Sequence, residues 1–185
     1  DEVEKLKREL DKILEDLERL HRRLEEELRR IHEENRDLSR RTKEELDRIL
    51  KRIEELLRER RDKSVVDEVR ELLKRAEERV RKANEDSKRL SKEVADTVRE
   101  ASRRSKEILD ELKKRVEKAE KDLTDDEKVL EELRRILRRV EEAVRRLNER
   151  SEEVLRDVER RDEELNEDNK RRLEEVKKRV EDLLR

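Results

Sequence analysis

Residues 6–42 read LKRELDKILEDLERLHRRLEEELRRIHEENRDLSRRT, and their spacing decides the fold. Core-type positions fall at Leu6, Leu10, Ile13, Leu17, Leu20 and Leu24, then at Leu28, Ile31, Asn35, Leu38 and Thr42. Every step is three or four residues, in a 4-3-4-3-4 block that closes after 18 residues and then repeats. Steps of three and four keep side chains on one face of an α-helix, whereas a strand would need strict alternation. Eighteen residues in five turns is a period of 3.6, that of a straight helix and not the 3.5 that imposes a left-handed supercoil. Outward from this stretch the stripe reaches back to Val3 and on to Leu46, Ile49, Ile53 and Leu56. A flanking set at Leu14, His21, His32, Ser39, Leu50 and Leu57 follows the same repeat.

The rest of the chain repeats the pattern twice. From Val69 the stripe runs through Leu73, Ala76, Val80, Ala83, Ser87, Ser91, Val94, Val98, Ala101, Ser105, Leu109, Leu112, Val116 and Ala119. From Leu133 it runs through Leu137, Val140, Val144, Leu147, Ser151, Leu155, Val158, Asp162, Leu165, Asn169, Leu173, Val176, Val180 and Leu183. Positions off the stripes are mostly Glu, Lys, Arg and Asp, a solvated face whose i,i+4 pairs each contribute a few tenths of a kcal/mol.

Boundaries follow from capping chemistry. Ser64 and Thr124 each place a hydroxyl three residues before an acid, at Asp67 and Glu127, which is the capping-box pattern. Arg61–Lys63 and Lys121–Leu123 then serve as short connections, and short connections make successive helices antiparallel. The expected fold is all-α: one domain over residues 1–185, an antiparallel up-down-up bundle of three straight helices of about 60 residues each, at about 2–61, 65–121 and 125–184. Folding about those connections pairs residues whose numbers total roughly 127 between the first two helices and roughly 247 between the last two.

Composition removes most functional classes. Twelve residue types make up all 185 positions, with no Gly, Pro, Cys, Met, Gln or aromatic residue. Without Cys there is no disulfide, thiolate nucleophile or Cys-based metal site. Without Gly there is no phosphate-cradling loop, nucleophile elbow or dinucleotide-binding turn. With 56 Lys and Arg against 58 Asp and Glu, no global field draws the chain to nucleic acid or an anionic membrane, and there are no aromatics on which bases stack. No apolar run long enough to cross a bilayer is present, so the chain is expected to be soluble and without a targeting segment. Charged residues reach 62%, yet the charge is balanced and Leu, Ile and Val make up about a quarter of the chain, which places it outside the disordered class.

Polar residues at stripe or stripe-edge positions occupy one window per helix: His21, His32, Asn35, Ser39 and Thr42; Asn84, Ser87, Ser91, Thr97, Ser102 and Ser105; and Asn148, Ser151, Asp162, Asn166 and Asn169. The windows 21–42, 84–105 and 148–169 superimpose at totals of 126 and 253, with apolar blocks on either side. A buried polar atom without a partner costs about 1–3 kcal/mol, so clustering at matching heights lets such groups satisfy one another. Three networks are expected: Asp162, Thr42, Ser39, Asn84, Ser87 and Asn166; His32, Asn35, Ser91, Ser151 and Thr97; and His21, Ser102, Ser105 and Asn148. Such networks specify register and partner more than they add stability.

Sharper readings of these residues are weaker. His21 and His32 are eleven residues apart, about 16 Å along a helix, and do not share one metal ion. A histidine that must charge near pH 6 is also a pH-sensitive element by its chemistry, the lesser reading beside that of network donors. Ser87, His32 and Asp162 can be picked as a triad, but an uninterrupted helix has no free backbone N–H for an oxyanion hole. The stripes contain no Glu, so the di-metal pattern of bundle carboxylates is missing. No catalytic, metal or cofactor site is expected. Helix two is thin, with Ala76, Ala83, Ala101 and Ala119 beside its Ser residues, which suits close packing or a shallow groove for a further helix.

The restricted alphabet, the 18-residue repeat, the capped connections and the polar window together resemble de novo designed helical bundles with buried hydrogen-bond networks, over the whole chain. The resemblance implies an idealised scaffold with no natural activity, made in the cytoplasm of an expression host and needing no partner. Its alternative is a subunit of a designed homo- or hetero-oligomer or switch, which associates with itself or with a designed helical chain.

Overall fold

A sequence without Gly or Pro leaves the backbone few ways to break a helix, and three long helices form. The computed structural model describes residues 2–122 and 126–185. They comprise α1 (Glu2–Glu59), α2 (Lys63–Asp122) and α3 (Glu127–Leu184), with no strand among the described residues. The chain is an up-down-up three-helix bundle. None of the described helices is long and apolar enough to cross a membrane.

The helix starts differ from the capping expectation. Val65 N–H donates to Asp62 Oδ1 at 2.9 Å, and Val66 N–H donates to the Asp62 carbonyl at 3.1 Å. A residue whose side chain takes the N–H three positions on, while its carbonyl takes the first intrahelical bond, is the N-cap. Asp62 therefore caps α2, and Ser64 lies inside the first turn. Asp126 does the same for α3, through Val129 N–H at 3.4 Å and Leu130 N–H at 3.2 Å. Thr124, the expected cap of α3, lies outside the described residues, as does Leu123 of the expected connection. Asp is as good a cap as Ser, and its charge also complements the positive helix end, so the helix starts at the Asp. At the other end α1 stops at Glu59, two residues before the expected limit. Among the described residues no φ is positive, so the connection at residues 60–62 closes without the left-handed residue that would call for Gly.

Two compact units are distinguished, each drawing one segment from every helix: Asp1–Arg29 with Val94–Asp157, and Arg30–Glu93 with Val158–Arg185. In the first, Leu10, Leu17 and Leu24 of α1, Val98, Leu112 and Val116 of α2, and Leu133, Val140 and Leu147 of α3 are buried. In the second, Leu46, Ile49, Ile53 and Leu56 pack with Val65, Val69, Ala76 and Val80 and with Val176 and Val180. A separate apolar cluster of Leu38, Ala83 and Leu165 lies in the same unit. The 3.6 period places the buried line close to the expected stripe, with three corrections. On α2 Leu90 is buried and Ser91 is only half-buried; on α3 Val154 is buried and Leu155 only half-buried, and the core passes from Val158 to Leu165, leaving Asp162 half-buried at the seam. Leu90 takes the inward position in place of Ser91, and Asp162 stays at the seam, because burying an apolar side chain carries no desolvation penalty, whereas burying a hydroxyl or a carboxylate does.

Ion pairs at the seams record the register. Between α1 and α3 the partners are 125 residues apart in each unit: Lys7–Glu132 and Glu25–Arg150 in the first, Glu54–Arg179 in the second. Between α2 and α3 the numbers total 254, in Lys113–Glu141 and Glu120–Arg134 of the first unit and Glu77–Lys177 of the second. Between α1 and α2 they total 124 in Glu9–Arg115 of the first unit and in Glu45–Arg79 of the second. The expected 127 and 247 are corrected accordingly. The connections are short enough to enforce antiparallel order but do not set the height, which is chosen by fitting side chains across the seams.

Replacing Asp62 with Ala is expected to destabilise the protein by about 1 kcal/mol, whereas Ser64→Ala, at an exposed first-turn position, is expected to stay within about 0.5 kcal/mol of the parent in guanidinium unfolding followed by circular dichroism.

Candidate functional site

Among the described residues, polar side chains in and beside the core bring chemistry away from bulk solvent. All sixteen residues expected there are at least half-buried; Asn35, Thr42, Ser87, Ser105, Ser151 and Asn169 are fully so. Their partners differ from the expected groups.

In the first unit, Ser102 Oγ–H donates to Asn148 Oδ1 at 2.7 Å. Ser105 Oγ is 3.4 Å from the same oxygen and 2.7 Å from the Ser102 carbonyl. Asn148 on α3 thus accepts from Ser102 on α2, while the single Ser105 proton goes to the nearer Ser102 carbonyl. His21, expected with them, instead lies 3.9 Å from Glu25 on its own helix. Ser151 turns its hydroxyl back to the Leu147 carbonyl at 2.8 Å, and Thr97 is half-buried at the side of a groove that also touches Leu20 and Ala101.

In the second unit the expected six-residue network divides into pairs. Ser87 Oγ–H donates to Asp162 Oδ1 at 2.8 Å, and Asn169 Nδ2–H donates to Asn84 Oδ1 at 3.0 Å. Thr42 joins neither, because its hydroxyl bonds the Leu38 carbonyl of its own helix at 2.8 Å. A hydroxyl reaches the carbonyl one turn back without any cross-helix geometry to satisfy, and this local bond wins. Ser39 is taken by Arg172, whose guanidinium donates to the Ser39 carbonyl at 3.2 Å and to its Oγ at 3.1 Å. Asn35 is only 6% exposed, and neither atom of its amide has a hydrogen-bond partner among the described residues; Ser91 Oγ and Asn166 Oδ1 are also buried without one. His32 is half-buried on the same segment of α1.

Sequence reasoning missed Arg172 and the charge contact of Glu25 with Arg150. Arg150 Nε–H and Nη2–H donate to the two Glu25 oxygens at 2.5 and 2.9 Å, and Nη1–H reaches Glu153 at 2.8 Å. The fork geometry makes this a bidentate pair across the α1–α3 seam. That hydrogen bond, outweighing the opposing effect of burial, holds the Glu25 carboxyl below its ordinary value and, with Glu153, raises the Arg150 guanidinium. Arg at a seam position with Glu 125 residues away is readable only once the register is known. Among the described residues no three His, Cys, Asp or Glu side chains come together in a way that holds a metal ion.

No protein-family profile matches this chain, and no curated protein sequence does. A solved structure described as a computationally designed three helix bundle is similar in fold, with a TM-score of 0.59 and 20% identity, over 98% of this chain and 90% of that one.

Two outcomes are expected from this geometry. Asn35→Leu raises stability by about 1–3 kcal/mol by removing an unpartnered buried amide, whereas Asp162→Leu lowers it by about 1 kcal/mol and the loss is recovered when Ser87 is also made Ala, both read as unfolding midpoints. Glu25 and Arg150 are about a third exposed, so solvent screening limits the pair to about 1 kcal/mol or less. Because the folded-state value of Glu25 is depressed, the parent's advantage over Glu25→Gln is present above pH 4.5 and fades as the pH falls through the lowered folded value.

Proposed function

We propose that this chain is a designed structural scaffold, a single bundle domain over residues 1–185 without a natural substrate, in which interhelical polar pairs fix the register of the helices. The observation that carries the reading is where those pairs lie. Ser102–Asn148, Ser87–Asp162 and Asn84–Asn169 all join α2 to α3, while Thr42 and Ser151 bond their own helices. The stripe of α2 is rich in Ala and Ser, so its apolar surface discriminates poorly between heights along its neighbour. A slip of one turn breaks all three pairs, and each buried group it leaves without a partner costs about 1–3 kcal/mol. Paired polar groups therefore supply the discrimination that the small side chains lack. The twelve-letter alphabet, the 18-residue repeat and the similarity in fold to a computationally designed bundle support a designed origin.

The second reading is an interaction module, a subunit of a designed homo- or hetero-oligomeric bundle. Its support is that Ile13, Leu14, Leu20 and Leu28 on α1 are half-buried. Against it, Leu184 is the one large hydrophobic residue classed as exposed among the described residues. Size exclusion with light scattering separates the two, with refractive index as the concentration signal because the chain has no Trp or Tyr. A mass near 22.9 kDa is expected for the scaffold; two or three times that mass overturns it in favour of the interaction module.

A further inference from the structure

In the first unit the seam between α1 and α3 has a gap. Along the flank of α3 that meets α1, Ala143 stands seven residues after Ile136 and seven before Arg150, a methyl group between two long side chains. Below it Leu14 is only half-buried, with Leu17 beneath. Two open grooves, of about 460 and 380 Å³, meet over Leu14, Ala143 and Arg146 and make one trough.

The rim is cationic. Arg135, Arg138, Arg139 and Arg146 line it from α3 and Arg22 from α1, against the two carboxylates of Glu18 and Glu142. Glu142 is already engaged by Arg145 at 2.9 Å and Arg146 at 3.4 Å. Arg22, Arg135, Arg138 and Arg139 have no hydrogen-bond or ion-pair partner among the described residues. Arg134 and Arg150, on the same helix, each hold a glutamate of a neighbouring helix. Four guanidiniums without a partner among the described residues therefore line this trough.

We infer that this trough binds a small anionic amphiphile, with its carboxylate or sulfate head among Arg135, Arg138 and Arg139 and its alkyl tail over Leu14 and Ala143. An apolar floor beside convergent donors is the composition of a ligand site, and guanidinium, being weakly hydrated and fork-shaped, suits an oxyanion head. From residue 135 to residue 146 the helix rises about 16 Å, a length that a medium alkyl chain covers. Charge selects the head group, since a cationic amphiphile of the same tail meets five guanidiniums. The inference does not depend on the scaffold reading.

The test is titration of the full chain with decanoate at neutral pH, below its micellar range, followed by amide NMR shifts. Saturable shifts at Leu14, Leu17 and Ala143 that weaken as ionic strength rises are expected. Ala143→Leu, which fills the gap, and the double variant Arg138→Glu with Arg139→Glu, at exposed sites, are each expected to weaken binding about tenfold or more while circular dichroism shows the helices intact. Decyltrimethylammonium and inorganic sulfate, which carry only the tail or only the anion, are expected to leave those resonances in place. Absence of saturable decanoate shifts, equal shifts with the cationic amphiphile, or undiminished binding by Ala143→Leu overturns the inference.

Discussion

Burial of one apolar stripe on each helix is the interaction on which the rest of this structure depends. A fully buried Leu, Ile or Val contributes about 1.5–3 kcal/mol, and residues such as Leu10, Leu24, Ile31, Leu46 and Ile53 on α1 alone are shielded from water. A surface ion pair contributes about 0–1 kcal/mol, so the many Arg–Glu contacts on the outer faces do not hold the helices together. They act on top of the stripe. Helix propensity is no substitute, because most helical stability in proteins comes from packing an amphipathic face. With no Cys and no aromatic side chain, the chain has neither cross-links nor large anchors, and the regularity of the stripe does their work.

Aliphatic stripes of such regularity are poor at choosing a register, since a slip of one block places Leu opposite Leu again. On the proposed reading, two features break the degeneracy. Seam ion pairs hold a constant separation of 125 residues between α1 and α3 in both units, and the Glu25–Arg150 fork adds directionality to it. Polar pairs sit inside the α2–α3 seam, where α2 is thinnest. Discrimination there would come from the penalty of leaving a group unpaired, which exceeds the net gain of pairing it. Asn35 shows the other side of this arrangement: a buried amide without a protein partner weakens its own layer. It lies on α1, which makes no hydrogen bond across the core through Thr42 either.

Much of this architecture is legible in the residue order. The 18-residue block from Leu6 to Leu24 establishes helix, period and buried face together, because only a 3.6 period keeps those side chains on one side. The two interruptions are legible as well, to within three residues, although capping chemistry alone does not separate Asp62 from Ser64: both side chains accept the same kind of bond. All sixteen polar positions chosen from the stripes lie out of full solvent exposure, since burial follows the same period. Their partners are less legible. A hydroxyl has a local alternative in the carbonyl one turn back, taken by Thr42 and Ser151, and Arg172 of another helix reaches Ser39. Neither outcome is encoded in spacing along one helix.

By itself the sequence determined that there are three helices, which face of each is buried, and where polar groups interrupt the core, because these depend on periodicity and on desolvation, both local properties of a helix. Tertiary structure alone decided the heights at which the helices meet. It thereby decided which polar groups pair, that Glu25 meets Arg150, and that Ala143 leaves a gap above Leu14. The reason is geometric. A contact across a seam needs two side chains within about 3 Å, and a change of one turn, about 5.4 Å, in the relative height of two helices exchanges every such partner while leaving each helix's own pattern unchanged.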